Sequence, residues 1–270
     1  MGQIVARTSV SIMDGNIEAM NRETDLVLAE AAIPANLKLI EGLIEEDPDN
    51  PDLLSLAAQG FYGYAFGFVE LSDPQRAEAL YTRGFSYGLR GLHALGLDKD
   101  IDLSTANPDA IDKAVAKMSS AAVPMLFWTA SCWAKQIDLR RTDPASIAQL
   151  ASTERLMFRV RELQPDYYYG GVYLFYGVYY GSRAPMIGGN FTKSEQNFSA
   201  ANAVSEGRLL IVDVLQAEFL ERQRLDQKAF HRLLSRVVSD PVGSFPEMAL
   251  VNQIARTRAH YLLDKESEWF

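Results

Sequence analysis

Several residue types could do chemistry in this chain, and none is spaced for it. His93, His231 and His260 stand far apart in sequence and none opens an HExxH pattern. Each reads as a surface or helix-packing histidine, not a ligand. The single cysteine, Cys132, sits in the apolar run LFWTASCWA, which excludes an intramolecular disulfide and points to a buried, inert thiol. Carboxylate pairs such as Glu45–Glu46 and Asp98/Asp100 lie in charged stretches that read as solvated surface. The basic pairs Arg140–Arg141, Arg222/Arg224 and Arg256/Arg258 have acidic neighbours, so surface ion pairing explains them. No nucleophile elbow, Walker loop or dinucleotide fingerprint is present. The expectation is a protein that is not an enzyme and uses no metal and no cofactor.

What remains is a stretch of rings. Between Tyr167 and Gly181 stand seven of the chain's twelve tyrosines and four glycines. At 3.6 residues per turn Tyr169, Tyr173, Tyr176 and Tyr180 share one face, while Gly170, Leu174, Gly177 and Gly181 share another. Such a helix can meet a neighbour closely along its glycine edge and present rings elsewhere. An aromatic stripe at this spacing fills a core more often than it lines a pocket. Seven phenol hydroxyls nevertheless need partners, which favours a border with water or ligand for some of them. Tyr64 and Trp128, in two other aromatic-rich stretches, join the stripe as candidates for lining a ligand channel. Arg183 follows in GSRAPMIGG, where a guanidinium could hold an anion beside an aromatic wall. Capping of the helix C-terminus accounts for it almost as well.

The elements that would position these residues are helical throughout. A weak helix signal covers 12–20 and a stronger one 26–46, where Pro34 is a possible break. Asn50 followed by Pro51 opens a helix to about residue 71, and Asp73–Pro74 opens the next, to about Gly96. Gly60, Gly63 and Gly67 fall on one side of the first, Gly84, Gly88 and Gly91 on one side of the second. Their spacing predicts two small-residue faces closing an αα-hairpin. The polar stretch DKDIDLSTANPD reads as an insertion before a helix over 108–120. Further helices are expected from Pro124, from Asp143–Pro144 to Leu163, across the tyrosine stretch, and from a Thr192/Glu195 capping box towards Ser205. The last third holds three more segments of helical apolar spacing, the final one opened by a Ser244/Glu247 box. LLIVDVL alone could pass for a strand but has no second strand to pair with.

Successive helix pairs recur at irregular periods mostly near forty residues. The expected fold is therefore all-α: an irregular, tetratricopeptide-like helix-pair superhelix, a compact single α-solenoid unit. Residues 1–24 form an N-terminal segment and residues 25–270 the helical domain. Of 270 residues 48% are apolar, enough for a core, and no apolar run is long enough to span a membrane. A net charge of −9 argues against nucleic acid.

The segments PANLKLIEGLIEEDPDNPDLL, AAQGFYGYAFGFVE, YYYGGVYLFYGVYYGSRAPMIGG and LLIVDVLQAEFLERQ carry a resemblance across residues 25–263. They resemble the T-component family of TRAP transporter systems. The YYGSRxPMxGG element is the most specific part, with Ala184 where a proline is often expected. The resemblance implies a periplasmic tetratricopeptide-like lipoprotein, tethered through an N-terminal lipidated cysteine that this sequence lacks and that is expected upstream of Gly2. It further implies a periplasmic solute-binding protein as partner, a small hydrophobic or organic-acid ligand, and a homo-oligomer such as a trimer with a hole through each subunit. Two other readings stay open: a carrier of an apolar or amphiphilic small molecule, and a general peptide-binding tetratricopeptide scaffold.

Overall fold

The computed structural model describes residues 12, 13 and 15–270, and these divide into two compact units. One comprises Val27–Gln164 with the described part of Met1–Gly15, the other Asn16–Leu26 with Pro165–Phe270. Among the described residues every regular element is a helix, so the fold is all-α. The expected N-terminal segment 1–24 lies in part outside the described residues; residues 15–21 are helical.

In the first unit, helix α1 (Leu26–Glu46) runs unbroken through Pro34. The buried stripe of Ala29, Leu37, Ile40 and Ile44 holds both halves in line, which outweighs the roughly 3 kcal/mol an internal proline costs. Asn50 caps α2 (Pro51–Tyr64), its side-chain oxygen accepting from the Asp52 and Leu53 amides at 3.0 and 3.3 Å. The helix then widens into a π-turn, Ala65–Val69, closed by the Glu70 amide donating to the Ala65 carbonyl at 2.9 Å. Asp73 caps α3 (Pro74–Ala94). The polar stretch is a loop before α4 (Pro108–Val115), shorter than its expected reach to 120. Next come α5 (Val123–Leu139), short α6 (Pro144–Ala148) and α7 (Leu150–Leu163).

Helices α2 and α3 pack on each other as the expected hairpin, but their glycine faces do not close onto one another. Gly84, Gly88 and Gly91 of α3 pack on α5, where an added Cβ would stand 2.7 Å from Cys132 Sγ, 3.0 Å from Thr129 Cβ and 3.1 Å from Met125 Cγ respectively. Gly60 instead receives Leu37 of α1, and Gly63 is exposed with nothing within 4 Å. The physical reason is that α5, buried from Met125 to Trp133, offers short and flexible side chains that fit the α3 notches. Gly84 also faces α2, its added Cβ lying 3.3 Å from both the Ala58 carbonyl oxygen and Phe61 Cβ.

In the second unit, α8 (Tyr167–Gly181) and α9 (Phe191–Val204) form an antiparallel hairpin. Gly177 lies against the Phe198 ring, and Ser194 Oγ donates to the Gly177 carbonyl at 2.7 Å. Asn190 caps α9, accepting from the Lys193 amide at 2.9 Å, so the expected Thr192/Glu195 box does not form. The Asn190 amide donates to the Tyr180 carbonyl at 2.9 Å, fixing the cap two residues earlier than expected. The apolar run LLIVDVL is helical: α10 (Ile211–Gln216) continues into a π-turn, Ala217–Glu221. Helices α11 (Gln227–Ser239), α12 (Ala249–Asp264) and α13 (Glu266–Trp269) complete the unit. Ser244 does not cap α12 either; its hydroxyl donates to the Pro241 carbonyl at 2.8 Å, and α12 begins at Ala249.

Candidate functional site

The tyrosine helix does not start as an ordinary helix. Tyr168, Tyr169 and Gly170 take left-handed conformations, with φ of 51°, 56° and 85°. Two tyrosines so held cost of order 1–2 kcal/mol each, so the surroundings must fix them. Gly170 supplies part of that, since it approaches the α9 backbone where a Cβ would lie 3.3 Å from Ala201 Cα. The left-handed turn swings Tyr169 off the expected stripe, and its ring meets Phe245 edge-on at 4.9 Å. Arg208 covers the same Phe245 ring at 4.6 Å.

From Gly171 onward the stripe is regular. Tyr176 is 1% exposed and stacks on Tyr180 at 6.0 Å. Phe175 stacks on Tyr179 at 5.9 Å, and Tyr179 meets Tyr180 edge-on at 5.3 Å. Tyr173, Phe175, Tyr179 and Tyr180 are all half-buried. The helix thus has a dry member, Tyr176, and a border of rings that solvent can reach.

Arg183 closes the end of this ladder. Its Nε and Nη2 donate to the Tyr179 carbonyl at 3.3 and 2.9 Å, and its guanidinium lies 4.3 Å from the Tyr179 ring centroid. It therefore caps the α8 C-terminus, and its charge sits beside the aromatic border. The loop beyond is tightly tied. The Ile187 and Gly189 amides donate to the Ala184 carbonyl at 3.0 and 3.1 Å, and Gly188 has φ of 91°. Ala184, with φ −63° and ψ 149°, holds the backbone shape that proline would enforce. The 3₁₀ turn Pro185–Ile187 presents Met186 and Ile187 outward, 90% and 65% exposed.

Tyr64 and Trp128 belong to the first unit. Trp128 packs on Tyr62 at 5.4 Å, and Tyr62 on Tyr81 and Phe66 at 5.6 and 6.0 Å. Tyr64 faces Phe68 and Arg76. The π-turn brings Glu70 to the edge of the Tyr62 cluster, where Tyr81 Oη donates to it and Lys135 Nζ pairs with it at 2.9 Å. A second polar group lines a depression of about 280 Å³ bordered by Lys38, Glu41, Gly42, Glu45, Arg83 and Tyr87. Glu41 is 7% exposed there and pairs with Lys38 at 2.7 Å and with Arg83, while accepting from Tyr87 Oη at 2.7 Å. Burial works against its charge, but the Lys38 and Tyr87 hydrogen bonds and the Arg83 charge prevail and hold its carboxyl below the usual range. Sequence reasoning found neither the Tyr62–Glu70–Lys135 group, in which Glu70 and Lys135 lie 65 residues apart, nor the Glu41 group, in which Glu41 and Tyr87 lie 46 apart. The run FYGYAFGF was the one local hint of the former.

Among the described residues no cluster of three or more His, Cys, Asp or Glu side chains could hold a metal ion. No described helix is long and apolar enough to cross a membrane. Cys132 is fully buried, and burial pushes its thiol pKa up.

These features describe an all-helical protein with an aromatic helix leading into a glycine-tied loop. Its family profile is that of the TRAP transporter T-component, which matches residues 22–270, and the chain belongs to that family. It is thus a component associated with a TRAP transporter. No curated protein matches the chain.

Proposed function

We propose that this chain is a non-enzymatic periplasmic scaffold of a TRAP system. Residues 25–270 work as one tetratricopeptide-like domain that docks the periplasmic solute-binding protein. The half-buried rings of α8 contact a small hydrophobic or organic-acid ligand along an aromatic-lined channel. Family membership over residues 22–270 carries this reading. A lipid anchor upstream of Gly2 and assembly into a homo-oligomer, with a trimer as the expected size, belong to the same proposal. Supporting it, α8 places Phe175, Tyr179 and Tyr180 half-buried beside Arg183, the mixture of apolar wall and few polar groups that small-ligand sites use.

The test is affinity capture of the tagged chain from envelope extract of its native host, with proteins and small molecules identified by mass spectrometry. A solute-binding protein recovered in near-stoichiometric amount supports the scaffold. Recovery of lipid or another apolar molecule without that protein overturns it in favour of a carrier.

A further inference from the structure

The loop after α8 is built like an anchor, and nothing in the ligand reading uses its tip. Met186 and Ile187 stand at 90% and 65% exposure on a 3₁₀ turn. Exposed apolar residues are ordinary when scattered, but these two are adjacent and held by backbone that cannot relax. Four backbone hydrogen bonds close the turn: the Ile187 and Gly189 amides donate to Ala184, Gly188 to Pro185 and Asn190 to Tyr180. Gly189 passes against the Arg183 carbonyl so closely that no Cβ fits, and Gly188 needs its left-handed φ. The tip therefore loses little conformational freedom on binding.

Charge marks what it meets. Arg183 lies against the loop, its Nη1 3.4 Å from where a Cβ at Gly188 would stand, and Lys193 Nζ stands over the Tyr180 ring at 5.2 Å; neither has a carboxylate within 4 Å among the described residues. The nearest acidic residue on α9, Glu195, is paired with Arg224 at 3.3 Å. In a chain of net charge −9, an apolar knob on a loop that carries two cations with no carboxylate partner among the described residues is a local reversal of sign, although Arg183 is also held by the Tyr179 carbonyl and ring. Its complement is an apolar recess rimmed by carboxylates. A fixed shape favours a shaped protein recess over a lipid surface, which adapts to any apolar residue and gains nothing from a rigid one.

Resting on the docking reading above, we infer that Met186 and Ile187 form the apolar anchor with which this chain seats in an acid-rimmed recess of its solute-binding partner. Arg183 and Lys193 supply the cationic rim. Central apolar anchors carry most of an interface's affinity, and rim charges act chiefly on association rate.

The experiment measures binding of the purified full chain to the solute-binding protein of the same transport system. Met186→Asp and Ile187→Asp are each expected to weaken the complex by about thirtyfold or more. Their thermal midpoints should be unchanged, because both side chains are outside the core. Lys193→Glu should slow association, most at low salt. Wild-type affinity in Met186→Asp and Ile187→Asp overturns the anchor and leaves docking standing. Failure of the wild-type chain to bind the partner overturns both. Anionic-vesicle binding or self-association that is lost in Met186→Asp, while partner binding persists, also overturns the anchor and reassigns the loop.

Discussion

The carbonyl oxygen of Arg183 occupies the space that a Cβ at position 189 would need. Built there, that Cβ would also lie 2.6 Å from the Arg183 carbonyl carbon and 3.0 Å from that of Ala184. All of these are backbone atoms, so no side chain can turn aside to make room. Gly189→Ala must therefore open the loop, at a cost of about 1–3 kcal/mol. The expected outcome is faster amide exchange across 183–190 and a lower thermal midpoint. Unchanged exchange in that segment would contradict the close approach.

The same reasoning separates two glycines one helical turn apart. A Cβ at Gly88 meets Thr129 Cβ and Cα at 3.0 and 3.1 Å, whereas at Gly91 it meets only Met125 side-chain atoms. Methionine has three rotatable bonds and can move, while the Thr129 backbone cannot without shifting α5. Gly88→Ala should destabilise by roughly 2–3 kcal/mol and Gly91→Ala by about 1 kcal/mol. Denaturant unfolding of the two variants orders them; equal losses would refute the distinction.

These glycines also show what was legible in the sequence. The all-helical class and most helix starts were readable because proline, asparagine and aspartate act locally on the chain, and the family through the resemblance carried by segments such as YYYGGVYLFYGVYYGSRAPMIGG. Asn50, Asp73, Asn107 and Asp143 all cap the helices that their following prolines announce. Partner choice was not legible: Gly84, Gly88 and Gly91 needed a close neighbour, but nothing local named α5 over α2. Nor could spacing foresee Tyr168 and Tyr169 leaving the helical register, since the contacts of Gly170 with α9 and of Tyr169 with Phe245 are distant in sequence. Capping boxes at Thr192 and Ser244 failed because earlier hydrogen bonds, from Asn190 and to Pro241, had already set the chain path.

Glu41 makes stability depend on pH. Its folded-state pKa lies below the ordinary value, so the ionised carboxylate stabilises the fold above the unfolded pKa. That contribution disappears as pH falls through the folded value. Arg83 and Lys38 are substantially exposed, which limits the net effect to about 1 kcal/mol. Glu41→Gln should melt below the wild type near pH 7, and the difference should close as pH falls through the folded-state pKa of Glu41. A gap that persists undiminished in acid would show that the loss comes from packing rather than charge.

Leu225 offers the opposite kind of change, a substitution that strengthens the fold. It is 72% exposed and sits at φ 57°, where the chain leaves the π-turn and the Asp226 amide returns to the Glu221 carbonyl at 2.9 Å. This is a helix-ending geometry that glycine adopts without steric cost, and leucine gains little from burial here to offset its strain. Leu225→Gly should relieve that strain, which is about 1 kcal/mol, less a few tenths for the freer unfolded chain. The variant is expected to raise the thermal midpoint by one to a few degrees, as such a gain does in a chain of this size. A fall in the midpoint would mean that the Leu225 side chain covers apolar surface worth more than the strain it brings.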